Sequence, residues 1–336
     1  MDERLSALDA WLRRQPGLPP FSLVPASGDA SFRRYFRVVG EDSSSIAMDA
    51  PPPNEDCRPF VRMSGILRGL GLNAPEVRAA DLDRGFLLLD DLGDRLYLDA
   101  LDEASVERLY GDALAALVVI QACGPRAGLP PYDRPLLLRE MGLFPEWLLR
   151  GLLGLELTAS EQALLERVFA LLADSALEQP RVCVHRDYHA RNLLVTAAPS
   201  PGILDFQDAL VGPVTYDLVS LLRDCYVAWP SDRVRNWALG YRELAQQSGV
   251  APALDEAQFL RWFDLMGVQR HLKAGGIFAR LQLRDGKSGY LADIPRTLGY
   301  VSALGSEYPE LRGLADLIEE RVMPGLASLG VRTDRL

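Results

Sequence analysis

The sequence predicts an α+β chain of two lobes: a small antiparallel β-sheet lobe carrying one helix, then a larger, mainly helical lobe. Three observations predict it. Short runs rich in β-branched and aromatic residues, separated by turn residues, crowd the first 90 positions. Apolar residues at helical spacing dominate the chain beyond residue 100. A single pair of short apolar strands near residue 200 interrupts those helices. With 336 residues, 48% of them hydrophobic, the chain has room for about two units at roughly 150 residues each.

Taken in order, Leu5, Leu8, Trp11 and Leu12 predict a short amphipathic helix over 2–15, ended by the stretch Pro16 to Pro20. Strands follow at FSLVPA, FRRYFRVV and SSIAMDA, with turns at Gly28-Asp29 and Gly40-Glu41-Asp42. After the break Pro51–Pro53, residues Phe60, Met63, Ile66, Leu67 and Leu70 mark one face of a helix over 57–70. Strands near 76–80 and 85–89 complete the first lobe. The polar run Asp90 to Asp94 reads as the hinge, giving an N-terminal lobe over 1–91 and a C-terminal lobe over 92–336. Helices are expected at 103–122, 136–153, 159–177, 213–228, 232–247, 255–283 and 308–328, with a hairpin of 192–195 and 202–204 around the loop TAAPSP.

The net charge of −10 and pI near 5.0 give the chain no electrostatic reason to seek nucleic acid or an anionic membrane face. The N-terminus is charged and has no apolar core of a secretory signal, and no run of about 18 apolar residues occurs. Four dispersed cysteines without a CxxC pair fit a reducing compartment. A cytoplasmic protein with no nucleic-acid or membrane partner is expected. Of 36 basic residues only Lys273 and Lys287 are lysine.

The chemistry concentrates in His185-Arg186-Asp187-Tyr188-His189-Ala190-Arg191-Asn192, which fits the kinase catalytic-loop pattern H-R-D-x-x-x-x-N at every specified position. The two-lobe reading thereby sharpens to a bilobal protein-kinase-like fold. Asp187 is the candidate base for an acceptor hydroxyl, and Asn192 offers a neutral oxygen to Mg²⁺. Leu204-Asp205-Phe206 stands at the position of the metal-binding aspartate, and the intervening hairpin is expected to fold Asp205 back beside Asn192. Two oxygen ligands plus phosphate oxygens suit Mg²⁺, so ATP and Mg²⁺ are the expected cofactors. An isolated Asp or Asn in a loop is usually a turn former; the joint match of both motifs carries the functional reading. His185 is expected to orient the loop.

These residues, with the second histidine His189 and Gly212-Pro213-Val214-Thr215-Tyr216-Asp217-Leu218, resemble the aminoglycoside phosphotransferase/choline kinase superfamily. The resemblance implies that Asp217 braces the catalytic loop. Gln207 stands where a DFG glycine would. It also implies a phosphate-covering loop at Gly28–Val38, with Ser31 on the phosphates, and a hinge at Leu87–Gly93 whose Asp90 and Leu92 backbone groups bind adenine. The expected β3 lysine is missing, since Met48 occupies its slot. Arg33 or Arg34 is the candidate replacement, with Glu55 positioned to hold it.

Across nearly the whole chain, DASFRRYFRV, MDAPP, FLLLDDLGD, HRDYHARN, LDFQDA and QRHLKAGGIFARL resemble the bacterial anomeric amino-sugar kinases that act on N-acetylmuramate and N-acetylglucosamine. That resemblance implies phosphorylation at C1 in cell-wall sugar recycling, with a uridylyltransferase taking the product. Acceptor contacts are expected from Asp187, Arg191, Asp224, Gln269, Arg270, His271 and Lys273. An aminoglycoside or choline-like O-phosphotransferase, and an inactive nucleotide-binding scaffold, stay open as alternatives.

Overall fold

A computed structural model describes residues 2–27, 32–52, 54–251 and 255–333. The chain divides into two compact units, residues 1–116 with 191–208, and residues 117–190 with 209–336. Ser31 and the turn Gly28-Asp29 lie outside the described residues.

In the first unit, β1 (Ser22–Ser27), β2 (Arg34–Val39), β3 (Ser44–Asp49), β4 (Val77–Asp81) and β5 (Phe86–Asp90) form one antiparallel sheet in the order β1-β2-β3-β5-β4. Helix α1 (Glu3–Leu12) is shorter than the 2–15 expected. It buries Leu8, Trp11 and Leu12 against Phe36, Val38, Ala47, Phe86 and Leu88 of the sheet. Helix α2 (Arg58–Gly69) buries Phe60, Met63 and Leu67, and the Phe60 ring meets Phe206 at 4.8 Å. Gly85 has φ +72, and a Cβ there would lie 1.8 Å from the Ala50 carbonyl oxygen, so only glycine closes this turn. The hairpin β7 (Leu193–Leu194) and β8 (Gly202–Ile203) belongs to this unit although it lies far along the chain. Gly202 bridges to Asn73, Leu194 bridges to Leu96, and Asn73 Nδ2 donates to the Pro199 carbonyl at 2.9 Å.

The second unit is helical around α9 (Glu256–Asp285), thirty residues long and capped by Asp255, whose side chain accepts from the Gln258 N–H. The chain segment Phe144–Leu152, wound in wide π-type turns after α5 (Arg134–Met141), packs closely on α9. Gly276 makes this possible: a Cβ there would lie 2.4 Å from the Leu143 carbonyl carbon. Helices α6 (Ala159–Glu178), α8 (Ser231–Gln247) and α10 (Ile294–Leu304) also lie against α9; α4 (Val106–Cys123) runs from one unit into the other, and α3 (Tyr97–Ala100) is a single turn.

Here the expected helix over 213–228 is corrected. Strand β9 (Leu210–Pro213) pairs antiparallel with β6 (Arg181–Val184), and α7 covers only Tyr216–Leu222. The helix expected over 308–328 is broken into α11 (Arg312–Leu317), a π-type stretch Ile318–Val322 and α12 (Met323–Ser328). Strand β6 delivers the chain to His185, and β9 receives it after Ala209.

Candidate active site

In the second unit, the candidate catalytic segment starts where β6 ends, and Asp217 at the start of α7 fixes its first turn. One Asp217 carboxylate oxygen accepts the His185 N–H at 2.7 Å and the other accepts the Arg186 N–H at 2.9 Å. Burial pushes the pKa of Asp217 up to about 7 against those two hydrogen bonds, and neighbouring Asp187 adds to the rise. Arg186 is held at φ +80, a left-handed conformation uncommon for a side chain with a Cβ. Its guanidinium pairs with Glu140, which also accepts from the Tyr132 hydroxyl and stands 3.3 Å from Lys273 Nζ. Lys273 Nζ donates to the Tyr216 hydroxyl at 2.9 Å. Two cations thus share one carboxylate in an interior where an unpaired charge is costly.

Asp187 follows Arg186 and faces this cluster. Burial works against its charge, yet Lys273, His189, Arg186 and Arg270 together hold its pKa below the ordinary 3.8. It opens into a pocket of about 100 Å³, lined among others by His189, Tyr226, Arg270, Lys273 and Phe278. Arg270, Lys273, Ala274 and Ile277 reach the pocket from one face of α9, at the i, i+3, i+4, i+7 spacing of a helical stripe. The His189 ring meets Tyr226 edge-on at 5.4 Å.

In the first unit, Asn192 and Asp205 come together: Asn192 Nδ2 lies 3.4 Å from Asp205 Oδ2. Asp205 sits at φ +61. Gln207 Nε2 donates to Asp205 Oδ1 at 2.8 Å, so the residue in place of the motif glycine orients the carboxylate. Arg33, 9% exposed at its side chain, reaches the same oxygen at 3.3 Å and Glu55 at 3.9 Å. One carboxylate and an amide oxygen available by rotation suit a Mg²⁺ site completed by phosphate and water; the residues fit that ion.

The other candidate residues fall into distinct places. Met48 is fully buried in β3 opposite Tyr35, so the missing lysine has no substitute on that strand. Arg34 Nε donates to Asp49 at 3.1 Å, and its guanidinium also pairs with Asp2; it ties β2 to β3 and α1. Asp90 takes part in the sheet and its N–H donates to the Glu76 carbonyl at 3.1 Å. The Leu92 N–H has no hydrogen-bond partner among the described residues. Arg191 is half-buried on the segment that carries Asn192.

Of the proposed acceptor contacts on α9, Lys273 lines the pocket, and so does Arg270. Gln269 is buried behind it, donating to the Tyr132 hydroxyl at 2.9 Å. His271 points elsewhere, stacked on Tyr300 at 4.9 Å and hydrogen-bonded to the Arg223 carbonyl at 2.9 Å, and burial first, then Arg270 and Arg223, lower its pKa to about 3. Asp224 accepts the Ala190 and Tyr226 N–H groups at 2.9 and 3.0 Å; it shapes the loop from behind the pocket. Helical periodicity gives the cause: adjacent residues on α9 point about 100° apart, so a run 269–273 cannot share one face. Sequence reasoning missed Glu140, Tyr132 and Tyr226, which belong to no motif, and gave Tyr216 no role beyond its place in the Gly212–Leu218 match.

Comparison with known proteins agrees with this geometry. The model of the phosphotransferase enzyme family matches residues 22–260. The chain is 49% identical to a Pseudomonas aeruginosa protein named N-acetylmuramate/N-acetylglucosamine kinase, over 94% of this chain and 96% of that one. It is 48% identical to a Pseudomonas putida protein of the same name, over 95% and 97%. The Plasmodium vivax ethanolamine kinase shares the fold with a TM-score of 0.63 at 12% identity, covering 92% of this chain and 89% of that one. The chain therefore belongs to the phosphotransferase enzyme family and is an ATP-dependent kinase that phosphorylates a hydroxyl group.

Proposed function

We propose that this kinase phosphorylates the anomeric C1 hydroxyl of N-acetylmuramate and N-acetylglucosamine, the sugars in the names of its relatives. The observation that carries the reading is the charge of the pocket at Asp187. Its charged lining residues are one carboxylate, Asp187, and two cations, Arg270 and Lys273. Asp187 offsets one of these cations, so a cationic acceptor meets a net repulsion on the order of 3 kcal/mol at ~5 Å and an effective dielectric near 20. Choline-like and polyamine acceptors are therefore disfavoured, and neutral or anionic sugars are favoured. Tyr226 and Phe278 add the apolar wall that a pyranose ring packs against.

In the proposed reaction, Asp187 accepts the acceptor hydroxyl proton as the oxygen bonds to the γ-phosphorus and the bond to ADP breaks. A hemiacetal hydroxyl is more acidic than an ordinary alcohol, so a base of low pKa suffices, and much of the rate comes from orientation. Arg33, held by Glu55, takes the place of the missing lysine toward the nucleotide phosphates. The Leu92 N–H and the Asp90 backbone are the proposed adenine contacts. Asn192 and Asp205 would hold Mg²⁺, which supplies positive charge to the phosphates. A uridylyltransferase-type reaction is the proposed consumer of the sugar 1-phosphate.

The test is ADP release with Mg-ATP and a panel of N-acetylmuramate, N-acetylglucosamine, its methyl glycoside, kanamycin and choline. Turnover of the two free sugars, none of the C1-blocked glycoside, and an acid-labile sugar phosphate are expected. Turnover confined to kanamycin or choline overturns the reading, and ATP binding without turnover of any acceptor makes the chain a scaffold.

A further inference from the structure

The two pocket cations are not equivalent. Lys273 is engaged by Glu140 and the Tyr216 hydroxyl, at 3.3 and 2.9 Å. Arg186 is engaged by the same Glu140, Arg223 by Asp264 and Arg296 by Asp293. Arg270 is 6% exposed and lines the pocket, yet among the described residues its guanidinium makes one hydrogen bond, from Nη1 to the Cys225 sulfur at 3.6 Å. No carboxylate stands within ion-pair distance of it among the described residues. Asp224 and Asp187 favour its charge only from beyond contact, whereas a buried guanidinium normally has an anionic partner in direct contact. A thiol is a weak acceptor and does not supply one.

We infer that Arg270 is the specificity residue for an acidic acceptor, its open donors receiving a carboxylate carried by the sugar in the Asp187 pocket. Guanidinium and carboxylate match in planar, bidentate geometry, which an ammonium does not offer. N-acetylmuramate bears such a carboxylate on its lactyl ether, and N-acetylglucosamine does not. The inference rests on the sugar-kinase reading above and adds to it the group that separates the two acceptors. A role confined to supporting Asp187 is the competing account; of the four cations that keep Asp187 ionised, Arg270 contributes least.

The test compares kcat and KM for both sugars in the wild type, Arg270→Met and Arg270→Lys, together with N-acetylmuramate methyl ester in the wild type. In Arg270→Met the ratio of kcat/KM for N-acetylmuramate to that for N-acetylglucosamine falls about 30-fold, the scale of a lost charge-assisted hydrogen bond, through KM. Arg270→Lys restores part of it. Even if neither variant folds, the uncharged ester loses the advantage of the acid by a similar factor in the wild type. An equal loss on both sugars in Arg270→Met, or an ester as good as the acid, overturns the inference while the sugar-kinase reading stands. A wild type inactive on both sugars overturns both.

Discussion

Replacing Glu140 by Gln removes one negative charge and keeps the shape of the side chain. Glu140 is 7% exposed and is the carboxylate shared by Arg186 and Lys273, with the Tyr132 hydroxyl as a third donor. Removing one member of a buried ion pair costs roughly 3–5 kcal/mol, because the other member keeps its desolvation penalty. Here two cations lose their partner, while the amide oxygen still accepts one hydrogen bond, so the expected loss is about 3–4 kcal/mol. For a unit near 200 residues that corresponds to a fall in Tm of roughly 6–16 °C. Activity falls too, because the Glu140 pair holds Arg186 at φ +80 next to Asp187; a displacement of the base on the order of 1 Å lowers kcat by about 100-fold.

The measurement is urea unfolding of both proteins at pH 8, repeated at lower pH. Burial works against the charge of Glu140, but Lys273, Arg186 and the Tyr132 hydroxyl hold its pKa below the ordinary 4.5. A depressed carboxylate pKa gives stability that is complete above the unfolded-state value and lost as pH falls through the folded-state value. The gap between wild type and variant is therefore constant above about pH 5 and closes below 4.5. A gap under about 1 kcal/mol at pH 8, or one that widens on acidification, refutes the account of this cluster.

Three further outcomes follow from the same geometry. Asp187→Asn lowers kcat by about 10²–10⁴-fold, the usual worth of a general base, with KM for ATP changed less than about threefold; near-normal kcat removes Asp187 from the base role. Arg33→Ala raises KM for ATP by about tenfold or more, whereas Arg34→Ala, which loses the Asp49 and Asp2 contacts, lowers stability and leaves that KM nearly fixed; steady-state kinetics beside thermal melts separate the two, and the reverse pattern refutes the assignment of Arg33 to the phosphates. Gly276→Ala costs about 3 kcal/mol or more in urea unfolding, since its Cβ would lie 2.4 Å from the Leu143 backbone; a loss under 0.5 kcal/mol shows that the chain at 143 yields freely.

Much of the candidate site is legible in the sequence because phosphoryl transfer asks for residue types at fixed spacings along one strand-loop-hairpin. Asp187, Asn192 and Asp205 fall within nineteen consecutive positions, and Asn192 and Asp205 do meet. The partners of those residues were not legible. Glu140 lies 46 positions from Arg186 and Asp217 lies 32 from His185, and only the motif match marked the second. Strands β6 and β9 escape sequence reading because four-residue runs such as RVCV carry too few periods to declare themselves, and of β9 only Pro213 falls within the helix expected over 213–228. On α9 the polar run 269–273 suggests one cluster in the sequence, whereas each helical step turns it to a different neighbour.

The strained backbone shows why the motif alone is an incomplete description. The two non-glycine residues with positive φ among those described are Arg186 and Asp205, each inside a functional motif. A left-handed conformation costs an ordinary residue roughly 1–2 kcal/mol, which glycine would spare. Glycine at 186 could not bond Glu140, and glycine at 205 could not present a carboxylate. The cost is tolerated because contacts outside each motif offset it: Asp217 and Glu140 fix Arg186, while Gln207 and Arg33 fix Asp205. Arg186, beside the candidate base Asp187, and the candidate metal ligand Asp205 are thus each fixed by side chains that the H-R-D-x-x-x-x-N pattern does not specify. If the proposed roles hold, a chain carrying the same pattern without Glu140 or Gln207 keeps the candidate groups and holds them less firmly, and in phosphoryl transfer positioning is a large part of the catalysis.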